Sequence, residues 1–256
     1  MTDYHASVMG REAVEYLGCR GKKGIWVDAT LGHGGHSLLM LEAADEGAKL
    51  IGVETDKSNL KIAEERIGAG GNFTGLHGNF RHIDSILKEA GAGMINGILY
   101  DLGVSGAHFD NAERGFSFAR EAVLDMRLDT GKSFSAGDVI NGYREDELGR
   151  VIREYGEEPH WRRITAAIIA ARPVKTTLEL AAVISRVKGG YHKINPATKV
   201  FQAVRIEVND ELNALKESIE KLPSILAPGG RVVIISFHSL EAVSYTHLTL
   251  PTKRIV

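Results

Sequence analysis

The chain has 256 residues, 43% of them apolar and 25% charged, and carries a net charge of −2. These globular proportions exclude a disordered or collagen-like chain, and the near-neutral charge excludes a generic polyanion binder. A single cysteine, Cys19, excludes an internal disulfide and suits a reducing, cytoplasmic setting. Residues 1–10 are polar rather than signal-like, and no apolar run approaches the roughly twenty residues that span a bilayer, so no membrane association is expected.

Ile25-Trp26-Val27-Asp28 is a short apolar run that reads as a buried strand, predicted over residues 24–29. Gly32-His33-Gly34-Gly35-His36 follows it and leads into a helix that opens at Ser37. A second strand, residues 49–54, ends in Glu54-Thr55-Asp56. Strand, glycine loop, helix, strand, acid is the order of a doubly wound nucleotide site. The glycines let backbone approach a ligand, and the acid can accept both hydroxyls of a ribose. An ordinary turn would explain the glycines alone; the acid at the right distance weighs against it. The third glycine of a dinucleotide fingerprint is missing, and His36 crowds the place where a pyrophosphate would rest. That combination favours S-adenosylmethionine over NAD.

The alternation continues with a helix over 56–67, a strand over 73–77, a helix over 80–90 and a strand over 97–102, which implies a parallel sheet covered by helices. It then stops. From 111 to about 207 no strand is evident, and helical spacing runs over 144–155, 161–171, 177–187 and 196–208. Thr176-Thr177 is a plausible helix cap. The sheet pattern returns with a helix over 210–222, a tight turn at Ala227-Pro228-Gly229-Gly230 and an apolar strand over 231–236.

The expected fold is therefore α/β, a Rossmann-like S-adenosylmethionine-dependent methyltransferase sheet with an inserted all-helical domain. Its parts are 1–108 and 208–241 for the methyltransferase domain and 109–207 for the helical insertion, a substrate-recognition unit. An insertion after the fourth strand would lie over the carboxyl ends of the strands, where open sheets bind ligands. Between Arg150 and Arg205 stand eleven Lys or Arg against four Glu and no Asp. This basic block includes Arg162, Arg163 and Lys199 and fits either an RNA-binding face or a solvated helical surface.

Asp101-Leu102-Gly103-Val104-Ser105 leaves the fourth strand towards the glycine loop. An exocyclic base amine is a poor nucleophile because its lone pair is delocalised into the ring. Hydrogen bonds to the Asp101 carboxylate and the Leu102 carbonyl would raise its electron density and hold it in line. A loop or capping aspartate is the plainer alternative. Arg114 with Phe116 and Phe118 is a phosphate-and-stacking combination, although alternate phenylalanines also fit core contacts. His238 leaves the fifth strand towards the same crevice. With Ser236 and Asp101 it could suggest a hydrolase triad, but no nucleophile elbow is present. His33 and His36 look like a metal pair without further ligands at metal spacing, so no metal is expected.

Taken together, these segments resemble the family of bacterial ribosomal RNA small-subunit methyltransferase H. The resemblance is carried by residues 5–8 and 12–14, 28–37, 101–105, 113–118, 124–127, 155–158, 201–206, 226–230 and 235–241. It implies methylation of N4 of a cytosine in the decoding centre of 16S ribosomal RNA, with S-adenosyl-L-methionine as cofactor. Gly34, Gly35 and His36 would line its methionine part, and Glu54 would take the place of the family's usual aspartate. Phe80 would lie near the adenine, Asp101 near the cofactor and target amine, and His108 at a position often held by glutamine. Arg114, Phe116, Arg162, Arg163, Lys199 and His238 are the candidate contacts to RNA. The partner would be 16S ribosomal RNA or the small ribosomal subunit, in the cytoplasm, and a homodimer is one assembly state it admits.

Residues 242–256 match nothing in the family pattern and are expected to be a non-native tail. Two other functions compete: a methyltransferase of a different substrate, and a catalytically inactive RNA-binding ribosome-assembly factor. The intact glycines and Asp101 disfavour the latter.

Overall fold

In the computed structural model of the chain, the described residues are 6–68, 70–104, 112–189 and 195–246, with side chains described to residue 242. The expectations for His108 and for residues 247–256 fall outside them. The chain divides into two compact units, Met1–Gly103 with Leu212–Val256, and Val104–Glu211.

The first unit opens with α1 (Gly10–Leu17), β1 (Ile25–Asp28), α2 (Gly35–Ala43), β2 (Lys49–Glu54), α3 (Lys57–Ile67) and β3 (Phe73–His77). A 3-10 turn at Phe80–His82, α4 (Ile83–Glu89) and β4 (Ile95–Asp101) complete its first part. The second unit contains α5 (Ala136–Gly142), α6 (Glu145–Glu154), α7 (Trp161–Ala171), α8 (Thr177–Lys188) and α9 (Thr198–Asn209). The chain returns through α10 (Glu211–Ile225), β5 (Leu226–Ile235) and α11 (Ser239–Thr246).

The five strands form one parallel sheet in the order β3-β2-β1-β4-β5. Alternate residues face opposite sides of it. Trp26, Leu50, Leu99 and Ile235 pack with Val14 and Leu17 of α1 and Met40 of α2. Val27, Ile51, Ile98 and Tyr100 pack with Ile83 and Leu87 of α4 and Leu215, Ile219 and Leu222 of α10. Burial of each large apolar side chain contributes about 1.5–3 kcal/mol. Both faces are thereby covered, as a parallel sheet requires.

The order of strands reverses between β1 and β4, from which the crossovers run in opposite directions. Their carboxyl ends, at Asp28 and Asp101, flank the crevice where such sheets bind ligands.

β5 differs from the expected strand. Leu226 pairs with Ile95 and Arg231 with Gly97, so Ala227 to Gly230 bulge opposite Asn96. The expected turn therefore lies within the strand rather than before it. Gly229 takes a positive φ of 78° there, and a Cβ on Gly230 would meet the Ala227 carbonyl oxygen at 2.9 Å.

The second unit has its own core, built on Leu148 and Ile152 of α6, Ile164 and Ile168 of α7, Leu180 and Ile184 of α8, and Val200 and Val204 of α9. Thr176 caps α8 by accepting the Glu179 N–H, while the Glu179 carboxylate accepts the Thr176 N–H. Among the described residues of this unit the only strand-like pairing is one isolated bridge, Val123 to Thr176.

Candidate active site

The glycine turn is held from below by the second strand. Glu54 is 8% exposed, and its Oε2 accepts the Gly32 N–H at 2.7 Å while Oε1 accepts the Asp56 N–H at 2.8 Å. Each carboxylate oxygen has two lone pairs, so tying the turn in place does not by itself preclude accepting ribose hydroxyls. Gly34 adopts φ 77° and closes the turn with its N–H on the Leu31 carbonyl at 2.8 Å. A Cβ on Gly34 would meet Ile67 Cδ1 at 2.8 Å and Ala63 Cβ at 3.4 Å. Part of the demand for glycine is thus close approach of α3, in addition to any ligand. At Gly35 a Cβ would meet Ser7 Oγ instead.

α2 begins at Gly35, so its first N–H groups and the positive end of its dipole lie at the turn. His36, the second residue of α2, is 6% exposed. Its Nε2 lies 2.9 Å from the Val8 carbonyl oxygen, which accepts a hydrogen bond from the ring N–H, and its Nδ1 stands 3.6 Å from Asp101 Oδ2. Asp28, at the end of β1, is buried and accepts from Ser37 Oγ at 2.8 Å and from the Thr30 N–H at 3.2 Å. Thr30 Oγ1 in turn accepts the Asp101 N–H at 2.6 Å. Two strand-end carboxylates and one imidazole are therefore packed together at the switch point.

Burial pushes the Asp101 carboxyl up to about 6; His36 pulls it down, and Asp28 and Glu241 add to the rise. Asp28 is also raised, chiefly by burial, with His36 and the Ser37 hydroxyl opposing. Asp101 Oδ1 is buried without a hydrogen-bond partner among the described residues. A buried oxygen left unsatisfied costs about 1–3 kcal/mol and marks a place where a donor is expected. One oxygen of Asp101 thus faces His36, and the other has no hydrogen-bond partner among the described residues.

Phe80 stands in the 3-10 turn after β3, half-buried, with its ring edge-to-face on Tyr100 at 5.6 Å. Tyr100 is itself buried in β4, and its hydroxyl pairs with Ser218 Oγ at 2.7 Å. His33 Nε2 lies 3.2 Å from Asn59 Oδ1.

Packing gives other work to three of the residues expected to contact RNA. Phe116 is 5% exposed and belongs to the core of the helical unit, so its ring faces are covered rather than offered to a base. Arg114 donates to the carbonyls of Arg127 at 2.7 Å and Leu128 at 3.2 Å and lies over the Phe116 ring, which makes it a brace of that loop. His238 is mostly buried: its Nδ1 accepts the Glu241 N–H at 3.4 Å and its Nε2 lies 3.1 Å from Glu241 Oε1. Its observed work is at the start of α11. Glu241, 3% exposed, completes that cap by accepting the Phe237 N–H at 2.8 Å.

Arg162, Arg163 and Lys199 are exposed on the helical unit. Arg162 lies over the Trp161 ring at 4.4 Å, Arg163 donates to the Val187 carbonyl at 3.2 Å, and Lys199 to the Glu157 carbonyl at 2.8 Å. The ring and the two carbonyls carry no formal charge.

Val8, Thr30 and Glu241 lie in segments that carry the family resemblance, but nothing in the sequence assigns them a role at the site. They contribute a backbone carbonyl, a hydroxyl to a backbone N–H, and a cap whose partners become neighbours only through folding.

A parallel sheet in this order, a glycine turn at the first crossover, an acid closing the second strand and a carboxylate at the end of the fourth define an α/β protein of the S-adenosylmethionine-dependent methyltransferase class. The chain belongs to the MraW methylase family, whose model matches residues 2–248. It is 45% identical over 248 residues to the ribosomal RNA small subunit methyltransferase H of Geobacter sulfurreducens, covering 94% of this chain and 79% of that protein. The enzymes of the same description from Nostoc punctiforme and Halothermothrix orenii are 47% and 41% identical, each covering 93% of this chain and 78% of the relative. No helix among the described residues is long and apolar enough to cross a membrane.

Proposed function

We propose that this chain methylates N4 of a cytosine in the decoding centre of 16S ribosomal RNA, in the cytoplasm, with S-adenosylmethionine as methyl donor. The observation that carries the reading is Asp101, a strand-end carboxylate with one buried oxygen unpartnered, set beside the glycine turn in a chain of this family. The glycine turn, the α2 N-terminus and Glu54 suit a nucleoside with a charged amino-acid tail, and Phe80 offers an apolar neighbour for adenine. When bound, S-adenosylmethionine supplies an electrophilic methyl on a sulfonium.

The residues of the chain act on the amine. Asp101 Oδ1 accepts one N–H and the Leu102 carbonyl the other, which raises the electron density on nitrogen and fixes its direction. As the nitrogen gains its methyl it sheds a proton, and Asp101 Oδ1 is placed to receive it. A carboxyl raised to about 6 is ionised at neutral pH yet basic enough for that task. His36, held by Val8, faces the other oxygen of the same carboxylate.

The test supplies labelled S-adenosylmethionine and small subunits lacking the modification, then digests the RNA and identifies the nucleoside by mass spectrometry. N4-methylcytidine at one position is expected. Label on another nucleoside or on protein overturns the substrate, and binding of subunits without transfer assigns an inactive assembly factor.

A further inference from the structure

The end of β5 presents an aromatic ring whose surroundings assign it work that the cofactor site leaves undone. Ile235, the last residue of β5, is the sheet partner of Asp101, and Phe237 lies two residues beyond it. Phe237 is 58% exposed, whereas His238 and Glu241 beside it are largely buried. Its backbone is nonetheless fixed. The Phe237 N–H donates to Glu241 Oε2 at 2.8 Å, and the Leu102 N–H to the Ile235 carbonyl at 3.0 Å. Gly103 lies against the ring: a Cβ there would stand 3.7 Å from Phe237 Cδ2. The ring is therefore seated beside the residue that follows Leu102, at the end of the strand pair that carries Asp101.

A single exposed phenylalanine is ordinary on a protein surface. What distinguishes this one is a pinned backbone and a position at the lip of the crevice. Presenting the edge amine of a base to Asp101 requires the base to leave its stack, which costs a few kcal/mol. An aromatic face that receives the displaced base offsets that cost, and it does so for any base, since every base has a π-face. The buried Phe116 cannot do this; Phe237 can.

We propose that Phe237 is the stacking face for the target base, a substrate-contact residue that holds the displaced cytosine while Asp101 engages its amine. This rests on the RNA methyltransferase reading above. Identity of the base would come from the groups at its edge, and Phe237 would contribute affinity and orientation.

The test compares Phe237→Ala, Phe237→Leu and Phe237→Trp with the parent on undermethylated small subunits, alongside calorimetry with S-adenosylmethionine and thermal melts. Expected for Phe237→Ala is a loss of roughly ten- to a hundredfold in kcat/KM, with cofactor affinity and melting temperature nearly unchanged. Phe237→Leu should be similarly impaired, because its bulk lacks a π-face, and Phe237→Trp should stay close to the parent. A second readout uses subunits carrying 5-iodocytidine, irradiated in complex with the enzyme; the cross-linked peptide should contain Phe237. Full activity in the alanine variant overturns the proposal, as does a tryptophan variant no better than alanine or a loss of cofactor affinity that accounts for the whole defect. A parent that binds the methyl donor but methylates no RNA overturns the underlying function reading instead, and this proposal with it.

Discussion

Asp101 shows how a site residue is set against the stability of the fold that holds it. Its carboxyl is raised to about 6, against an unfolded value near 3.9. Between roughly pH 4 and 6 the native state keeps a proton that the unfolded chain has lost, so this group's contribution to stability falls as pH rises through that window and is level above it. Asp101→Asn removes both the titration and the repulsion from Asp28 and Glu241. The variant should be more stable than the parent at pH 7.5, and the gap should close near pH 4, as read from urea midpoints at the two pH values. Activity should move the other way. Methyl transfer by the parent should rise through about pH 6 as Asp101 ionises, and the variant should lose on the order of a hundredfold or more in rate at neutral pH with little change in cofactor affinity. A variant that is less stable at both pH values would show that Asp101 holds the strand end together. The carboxylate itself is legible in sequence, because a polar residue closing an apolar strand is visible. Its elevated basicity is not, since it arises from burial and from Asp28 and Glu241, which lie 73 and 140 positions away in the chain.

At the scale of elements, Gly34 couples the turn after β1 to the packing of α3. Its positive φ and the 2.8 Å approach of Ile67 Cδ1 to a would-be Cβ act together. Gly34→Ala should cost more than about 1 kcal/mol in chemical denaturation, even with no ligand present, because both the backbone and the α2–α3 packing resist it. A neutral result would leave ligand approach as the reason for the glycine. The long elements were legible because period and caps agree. β2 and β3 fall on the residues expected, and α7 begins and ends where its apolar spacing does. Others were not. α1 has only eight residues and starts from Met9 in a left-handed conformation with no side-chain cap, so neither a start signal nor length announces it. Ala227 to Gly230 carry strong turn chemistry, yet the chain rejoins β4 in register after them, and pairing with Ile95 before the bulge extends the strand. Phe116 and Phe237 make the same point for side chains. Alternate spacing cannot say which aromatic is buried; the core of the helical unit takes the first, and the end of the sheet leaves the second exposed.

Across the whole molecule the charge is uneven in a way that the net value of −2 conceals. Many cations of the basic block are cancelled locally: Arg150 by Glu207, Arg153 by Glu154, Lys188 by the buried Glu158 and Arg205 by Glu211. Arg162, Arg163 and Lys199 are not in any ion pair among the described residues; a ring and two carbonyls hold them in place. Fixed cations outside ion pairs are suited to phosphates, since the side chains are already ordered. Reversal of all three to glutamate should therefore weaken RNA binding and lower the slope of log affinity against log salt by roughly 0.7 to 0.9 for each phosphate no longer neutralised. Affinity for S-adenosylmethionine, measured on the same protein, should not change, because Gly34, Gly35, His36, Glu54 and Phe80 all belong to the sheet unit. The exposed positions predict little effect on melting temperature, which separates weakened binding from unfolding. Reversal of a cation that is already cancelled, such as Arg153, should flatten the salt dependence far less. An unaltered slope in the triple variant would return Arg162, Arg163 and Lys199 to the solvated surface of the helices.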